Sequence, residues 1–197
     1  MFIMVRGEGA ESVTFTKDAY GKRLLFKVRQ RKRYRVGELD ERLRRSRTRS
    51  EARILSRLSE SGLPVPTPVA VGTYTIVMTL LEGRLMRDVR IGPELLRGLG
   101  GVVRGMHGVG VVHGDLTPAN ILVSKGRPYI IDFGLGLMTR SNEERALDLL
   151  LMKRSLGGRE FRIFVGAYSK GNKEAEAVME KLAEIERRGR YSIRTLT

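Results

Sequence analysis

With 197 residues and 41% apolar composition, the chain has material for one ordinary domain, or two small lobes, around a folded core. It has no Cys and only two His, His107 and His113, which excludes disulfides, thiolate nucleophiles and Cys- or His-built metal centres; any metal is held by oxygen. Lys and Arg number 37 against 22 acids, a formal charge of +15 that attracts polyanions. Neither an apolar run long enough for a membrane span nor a secretory leader is visible, so no membrane association and a cytoplasmic compartment are expected.

In chain order, Phe2 and Met4, then Val13 and Phe15, alternate around Arg6-Gly7-Glu8-Gly9-Ala10-Glu11 as strand, turn and strand. The glycines would let backbone amides approach phosphates, although two glycines equally suit a plain hairpin turn. The run Leu24-Leu25-Phe26-Lys27-Val28 is a further strand, carrying a charge that needs a partner once buried. From Leu39 to Leu58 the positions Leu39, Leu43, Ile54, Leu55 and Leu58 keep helical spacing, and Glu51 falls on the inward face with Leu55 and Leu58. Glu51 is thus the candidate partner of Lys27, the alternative being a solvated Glu–Arg ladder. Ten Lys or Arg against three acids lie between Arg29 and Arg49. That run, with Tyr34 in it, is either a solvated face or a surface for acidic or phosphate-rich partners. After Pro64, Pro66 and Pro68 a strand pair ends in Ile76-Val77-Met78. Pro93 to His107 is a core helix through Leu95, Leu99, Val102, Val103 and Met106, with glycines that permit close helix packing.

The stretch from His113 to Gly134 carries the chemistry. Asp115 is followed five residues later by Asn120, and two apolar runs, Ile121–Val123 and Tyr129–Ile131, flank the turn Lys125-Gly126-Arg127. The hairpin delivers Asp132-Phe133-Gly134 beside the Asp115 loop. This resembles the catalytic core of a protein kinase. In that reading Asn120 and Asp132 are the oxygen ligands of Mg²⁺ and Asp115 orients or deprotonates the attacking group. The fold expected is α+β: a minimal bilobal kinase-like fold, with a β-rich N-lobe and its helix C (1–82) and a reduced, mainly α C-lobe (83–197). Thr79-Leu80-Leu81-Glu82-Gly83 is the hinge. ATP is expected against Gly7, Glu8, Gly9, Ala10, Glu11, Val13, Lys27, Met78, Thr79 and Leu81, with Lys27 and Glu51 joining Asp115, Asn120 and Asp132 as catalytic residues.

Beyond Gly134 the chain departs from ordinary protein kinases. Thirteen residues separate Gly134 from Asp148, no A-P-E follows, and Gly114 stands where an Arg would bind a phosphorylated activation loop. Generic peptides are therefore expected to be poor acceptors. Asp148 either opens an apolar helix, Leu149 to Leu156, or accepts hydrogen bonds from the catalytic loop. His107 is structural, and His113 packs and hydrogen-bonds the loop. A last helix, Glu174 to Arg188, buries Val178, Leu182 and Ile185 and is expected to stop at Gly189. The basic tail that remains, with Arg187, Arg188, Arg190 and Arg194, is the expected contact for a polyanion.

Four motifs, R-G-E-G-A-E at 6–11, Lys27 with K-R-Y-R through R-T-R-S-E at 32–51, H-G-D-L-T-P-A-N at 113–120 and I-D-F-G-L-G at 131–136, resemble the small atypical kinase subunit of the archaeal KEOPS complex. The resemblance implies a kinase fold without the usual C-terminal helices. It also implies ATP hydrolysis and autophosphorylation, and service to tRNA threonylcarbamoyladenosine formation. The implied partners are the threonylcarbamoyl-transferase subunit, a small regulatory subunit at the N-lobe, and tRNA. The glycine turn is longer than the family's R-G-A-E. Two other classes share these residues: a RIO-like or small-molecule phosphotransferase, and an idle kinase-fold scaffold that binds nucleic acid.

Overall fold

The computed structural model describes residues 7–8, 12–19, 21–32, 34–171 and 173–194, with side chains described except at 7–8, 173 and 189–194. Strands β1 (Gly7–Glu8), β2 (Ser12–Ala19), β3 (Lys22–Arg29), β4 (Pro68–Val71) and β5 (Thr75–Thr79) form one antiparallel sheet in the order β1-β2-β3-β5-β4. β2 and β3 pair from Ser12↔Arg29 to Ala19↔Lys22, which sets Thr14 opposite Lys27. Strand alternation then gives the sheet two faces: Phe15 stacks on Phe26 on one, while Leu25, Lys27 and Arg29 share the other.

Helix α1 (Gly37–Glu60) buries Thr48, Glu51, Ala52, Ile54, Leu55 and Leu58. The periodicity read from the sequence is therefore right from Glu51 onward, but Leu39 stands exposed at the start of the helix. Below the sheet, β6 (Arg84–Leu85), β8 (Ile121–Ser124) and β9 (Arg127–Ile130) form a second sheet, and β7 (Val111–Val112) pairs with β10 (Leu137–Met138). The β8–β9 turn has positive φ at Lys125 and Gly126, as a two-residue hairpin connection requires.

Helices α2 (Pro93–Gly108), α3 (Asn142–Ser155), α4 (Gly158–Ser169) and α5 (Lys173–Arg194) complete the chain. Gly100 explains how α2 and α4 approach so closely: a Cβ there would lie 2.3 Å from the Phe164 carbonyl. One apolar core joins both halves, from Leu55, Ile76 and Met78 through Leu99 and Phe133 to Phe164 and Val178. No helix of the described residues is long and apolar enough to cross a membrane.

Four expectations change. Gly7 and Glu8 lie in a strand, paired with Thr14 and Val13, rather than in the turn; Phe2, Met4 and Gly9–Glu11 lie outside the described residues. The helix holding Asp148 begins at Asn142, where the Ser141 hydroxyl accepts from the Glu144 amide, so Asp148 is mid-helix. Helix α4, Gly158–Ser169, is an element for which the sequence reading has no counterpart. Gly189 does not end the last helix, because a glycine costs only about 1 kcal/mol relative to Ala inside a helix and α5 runs on to Arg194.

Candidate active site

The cleft between the large sheet and the lower elements has a volume of about 370 Å³, within the range of small-molecule sites. Its roof is Ser12, Thr14, Leu25 and Lys27, its back Glu51, Leu55 and Met78, its side the extended Thr79-Leu80-Leu81, and its floor Leu122, Ile131, Asn120 and Asp132. Thr79 ends β5 and its backbone amide is spent on the Thr67 carbonyl, 2.9 Å away. Val13 points to the opposite face of the sheet from Thr14 and does not line the cleft; Ser12 and Thr14 take that place.

Lys27 and Glu51 meet as the sequence suggested. Lys27 Nζ donates to Glu51 Oε1 at 2.5 Å and to Asp132 Oδ1 at 2.8 Å, with Lys27 and Glu51 buried and the Asp132 side chain 52% exposed toward the cleft. A second cation, not foreseen, completes the group: Arg29 Nη2 donates to Glu51 Oε2 at 2.6 Å. Burial alone would raise the Asp132 carboxyl, but the Lys27 ammonium and the hydrogen bonds from Lys27 and Gly134 outweigh it and hold the carboxyl below its usual range. Asp132 has φ +61°, a left-handed conformation that a short polar side chain tolerates and that turns the carboxylate toward Lys27.

On the loop, Asn120 Nδ2 donates to the Asp115 carbonyl at 2.8 Å and to Asp115 Oδ2 at 2.9 Å. That fixes the amide's orientation and leaves its carbonyl oxygen as an acceptor, in a residue that lines the same cleft as Asp132. Among the described residues no three His, Cys, Asp or Glu cluster to hold a metal by themselves. Two hard oxygens, Asn120 Oδ1 and the Asp132 carboxylate, suit an ion that keeps waters and shares substrate phosphates, as Mg²⁺ does.

Beneath the loop, Asp148 accepts from the His113 amide at 2.6 Å and from the Gly114 amide at 2.8 Å. Of the two roles open to Asp148, the structure takes the loop anchor. Gly114 sits at φ +77°, and a Cβ there would lie 2.4 Å from the Leu135 carbonyl; this packing, rather than a missing regulatory Arg alone, is what demands glycine. His113 accepts from the Asp115 amide through Nδ1 at 3.2 Å and donates from Nε2 to the Ile131 carbonyl at 3.0 Å, joining the two loops.

His107 lies between the Tyr168 hydroxyl at 2.9 Å and Asp148 at 3.2 Å. Burial lowers its pKa, more than the neighbouring Asp148 carboxylate raises it, and burial also pushes the Tyr168 hydroxyl up to about 12. Since the folded His107 binds a proton less readily than the unfolded one, stability is full above the ordinary histidine value of 6.5 and is lost as pH falls from there toward the folded value. Melting curves between pH 7 and pH 5 are expected to show that loss, and His107→Gln to flatten it. Parallel pH profiles for the two proteins would assign the loss elsewhere.

The tail arginines divide. Arg187 and Arg188 are both exposed, and Arg188 pairs with Glu184 and lies 3.7 Å from Glu143; the Arg190 and Arg194 side chains lie outside the described residues. In the Arg29–Arg49 run, Asp40 gathers Arg44 at 2.7 Å and the Lys32 amide at 3.2 Å. Part of that charge is therefore internal.

Comparison with known proteins matches the RIO domain family model to residues 14–154. The chain is 37% identical over 191 residues to a probable bifunctional tRNA threonylcarbamoyladenosine biosynthesis protein of Methanosarcina mazei, covering 93% of this chain and 35% of that protein. It is 35% identical over 193 residues to the KEOPS complex subunit Bud32 of Pyrococcus abyssi, covering 89% and 88%. The crystal structure of a Rio2 kinase from Chaetomium thermophilum in complex with ADP/Mg²⁺ and phosphoaspartate has a similar fold, with a TM-score of 0.66 at 23% identity over 95% of this chain and 70% of that one. The chain thus spans about a third of the length of the bifunctional relatives and most of the Pyrococcus subunit.

Proposed function

This chain belongs to the RIO domain family and is a relative of the Bud32 proteins, and from that premise we propose that it is an Mg-ATP-dependent atypical Ser/Thr protein kinase and ATPase. It would act as the kinase subunit of a KEOPS-type complex that supports tRNA threonylcarbamoyladenosine formation. The observation that carries the reading is the convergence of Lys27, Glu51, Asn120 and Asp132 on one cleft, with Asp115 held against Asn120. In this reading the adenine lies along Thr79-Leu80-Leu81 with Met78 behind it, and Lys27 meets the phosphates. The segment expected over them runs from β1, Gly7 and Glu8, through Gly9, Ala10 and Glu11. Mg²⁺, held by Asn120 and Asp132, would neutralise phosphate charge. Asp115 accepts the proton of the attacking hydroxyl or water.

A complete set of charged residues argues against an idle scaffold, and the short segment after Gly134 against broad peptide phosphorylation. The partners in this reading are the threonylcarbamoyl-transferase subunit, a small regulatory subunit at the sheet-rich half, and tRNA. ATP turnover should rise when the chain is mixed with that transferase subunit and tRNA; turnover unaffected by both would refute the assignment to such a complex.

The tRNA contact is assigned to Arg187, Arg188, Arg190 and Arg194 on the end of α5, with Arg188 exchanging its carboxylates for phosphate. Counterion release gives roughly 0.7–0.9 per phosphate contact in the slope of log K against log salt. Removing residues 187–197 should therefore make the slope shallower by about 3 while leaving sequence preference unchanged. An unaltered affinity and slope would move the contact to the arginines between Arg29 and Arg49.

A further inference from the structure

The outer face of α1 carries a stripe of cations with little acid to balance it. Arg42, Arg45, Arg49 and Arg53 follow at intervals of three, four and four residues, which keeps them on one side of the helix, opposite the side that buries Glu51. All four are exposed. Arg45 pairs with Glu41 at 3.1 Å, but among the described residues no carboxylate pairs with Arg42, Arg49 or Arg53.

The stripe lines a groove. Two adjoining hollows, of about 560 Å³ and about 430 Å³, share Arg49, Arg53 and Met138 and together follow the helix from Arg42 to Glu60. Glu60, at the far end, is the only carboxylate in their lining. Beside the arginines stands an aliphatic ledge made of Val71 on β4 and Leu137 and Met138 on β10, which are 51%, 50% and 51% exposed. Apolar side chains grouped in this way and rimmed by polar ones mark an interaction surface.

Charge and chemistry narrow the occupant. A second copy of this chain, with its formal charge of +15, would be repelled by a basic face. A nucleic-acid backbone would satisfy the arginines and leave the ledge uncovered, and the lining has no aromatic ring on which a base could stack. A polypeptide can meet both. Exposed ion pairs are individually weak, so the arginines select the partner's charge while aliphatic contact supplies much of the affinity. We propose that this groove docks an acidic segment of a partner protein, with carboxylates against Arg42, Arg49 and Arg53 and aliphatic side chains against Val71, Leu137 and Met138. Arginine and methionine are both enriched in such interfaces. The groove lies apart from the cleft, and the proposal does not depend on the nucleotide reading.

The test is fluorescence anisotropy of the full chain, at physiological salt, with three labelled probes: a short peptide of Glu and Leu, the same peptide with every Leu replaced by Ser, and a single-stranded oligouridylate. The Glu–Leu peptide should bind about tenfold or more tightly than either of the others, the margin that burying its aliphatic side chains on the ledge supplies. Arg49→Ala combined with Arg53→Ala should weaken it about tenfold, as the loss of two exposed ion pairs predicts. Arg49→Lys with Arg53→Lys, which keeps the charge, should retain most of the affinity. Leu137→Ser with Met138→Ser should bring the Glu–Leu peptide down to the affinity of the Glu–Ser peptide, whose own binding stays within about twofold. All of these positions are exposed, so the variants should melt with the wild type. Should the ledge variant melt earlier, the arginine pair decides alone. No binding of the Glu–Leu peptide, equal binding of the Glu–Ser peptide, or variants that melt normally and bind as well as the wild type would overturn the proposal. Oligouridylate bound as tightly as the Glu–Leu peptide would overturn it too, and make the groove a nucleic-acid surface.

Discussion

Asp132→Ala is expected to abolish Mg-dependent ATP turnover, and Asp115→Ala to lower it roughly 10²-fold or more while leaving nucleotide affinity nearly intact. The two carboxylates differ in what they touch. Asp132 faces the cleft, accepts from Lys27, and is with Asn120 a hard oxygen donor suited to the proposed cation. Its removal takes away a cation ligand and also releases Lys27 to Glu51 alone. Asp115 lies outside the lining of the cleft and is exposed, with its carboxylate held by Asn120. Its loss should act on the chemical step and not on binding. Steady-state turnover beside equilibrium binding separates these roles, and full turnover in either variant would refute the assignment.

Asp148→Ala should have the largest effect among residues that never meet the nucleotide. It removes the acceptor of two loop amides, the buried one of His113 and the partly buried one of Gly114, and the partner of His107. Hydrogen bonds to a charged group contribute about 1.5–3 kcal/mol each and are not additive, so a loss on the order of 3 kcal/mol or more is expected in denaturant unfolding. Turnover should fall with it, since Asp115 follows Gly114 directly. Asp148→Asn, which keeps one acceptor oxygen but turns an amide donor against an N–H donor, should fall between. Wild-type stability in Asp148→Ala would return the residue to an ordinary helix position.

Much of this site was legible because its chemistry is written in short intervals. Asp115 to Asn120 and the hairpin into Asp132 are local in sequence, so turn chemistry alone brought them together. The Lys27–Glu51 pair was also legible, because a lone charge in an apolar strand and an acid on an inward helical face each ask for a partner. Arg29 was not, since in sequence it merges with the basic run that follows and only strand alternation, once the strand's end is known, places it beside Lys27. The same alternation moves Val13 off the cleft in favour of Ser12 and Thr14. Gly114 reads in sequence as a residue missing an Arg, and its real constraint, the Leu135 carbonyl, is a tertiary contact. Helix α4 escaped because its pattern begins immediately after Gly157-Gly158, where a break is the natural reading, although Glu160 accepts from the Gly157 amide at 2.9 Å and starts the helix there.

Whether this cleft is a nucleotide site completed by magnesium is decided by calorimetric titration of the wild-type chain with ATP, in the presence and absence of Mg²⁺. One ATP per chain is expected, bound more tightly with Mg²⁺, with that Mg²⁺ dependence lost in Asp132→Ala. Absence of binding, or binding that Mg²⁺ and Asp132 leave unchanged, would contradict it.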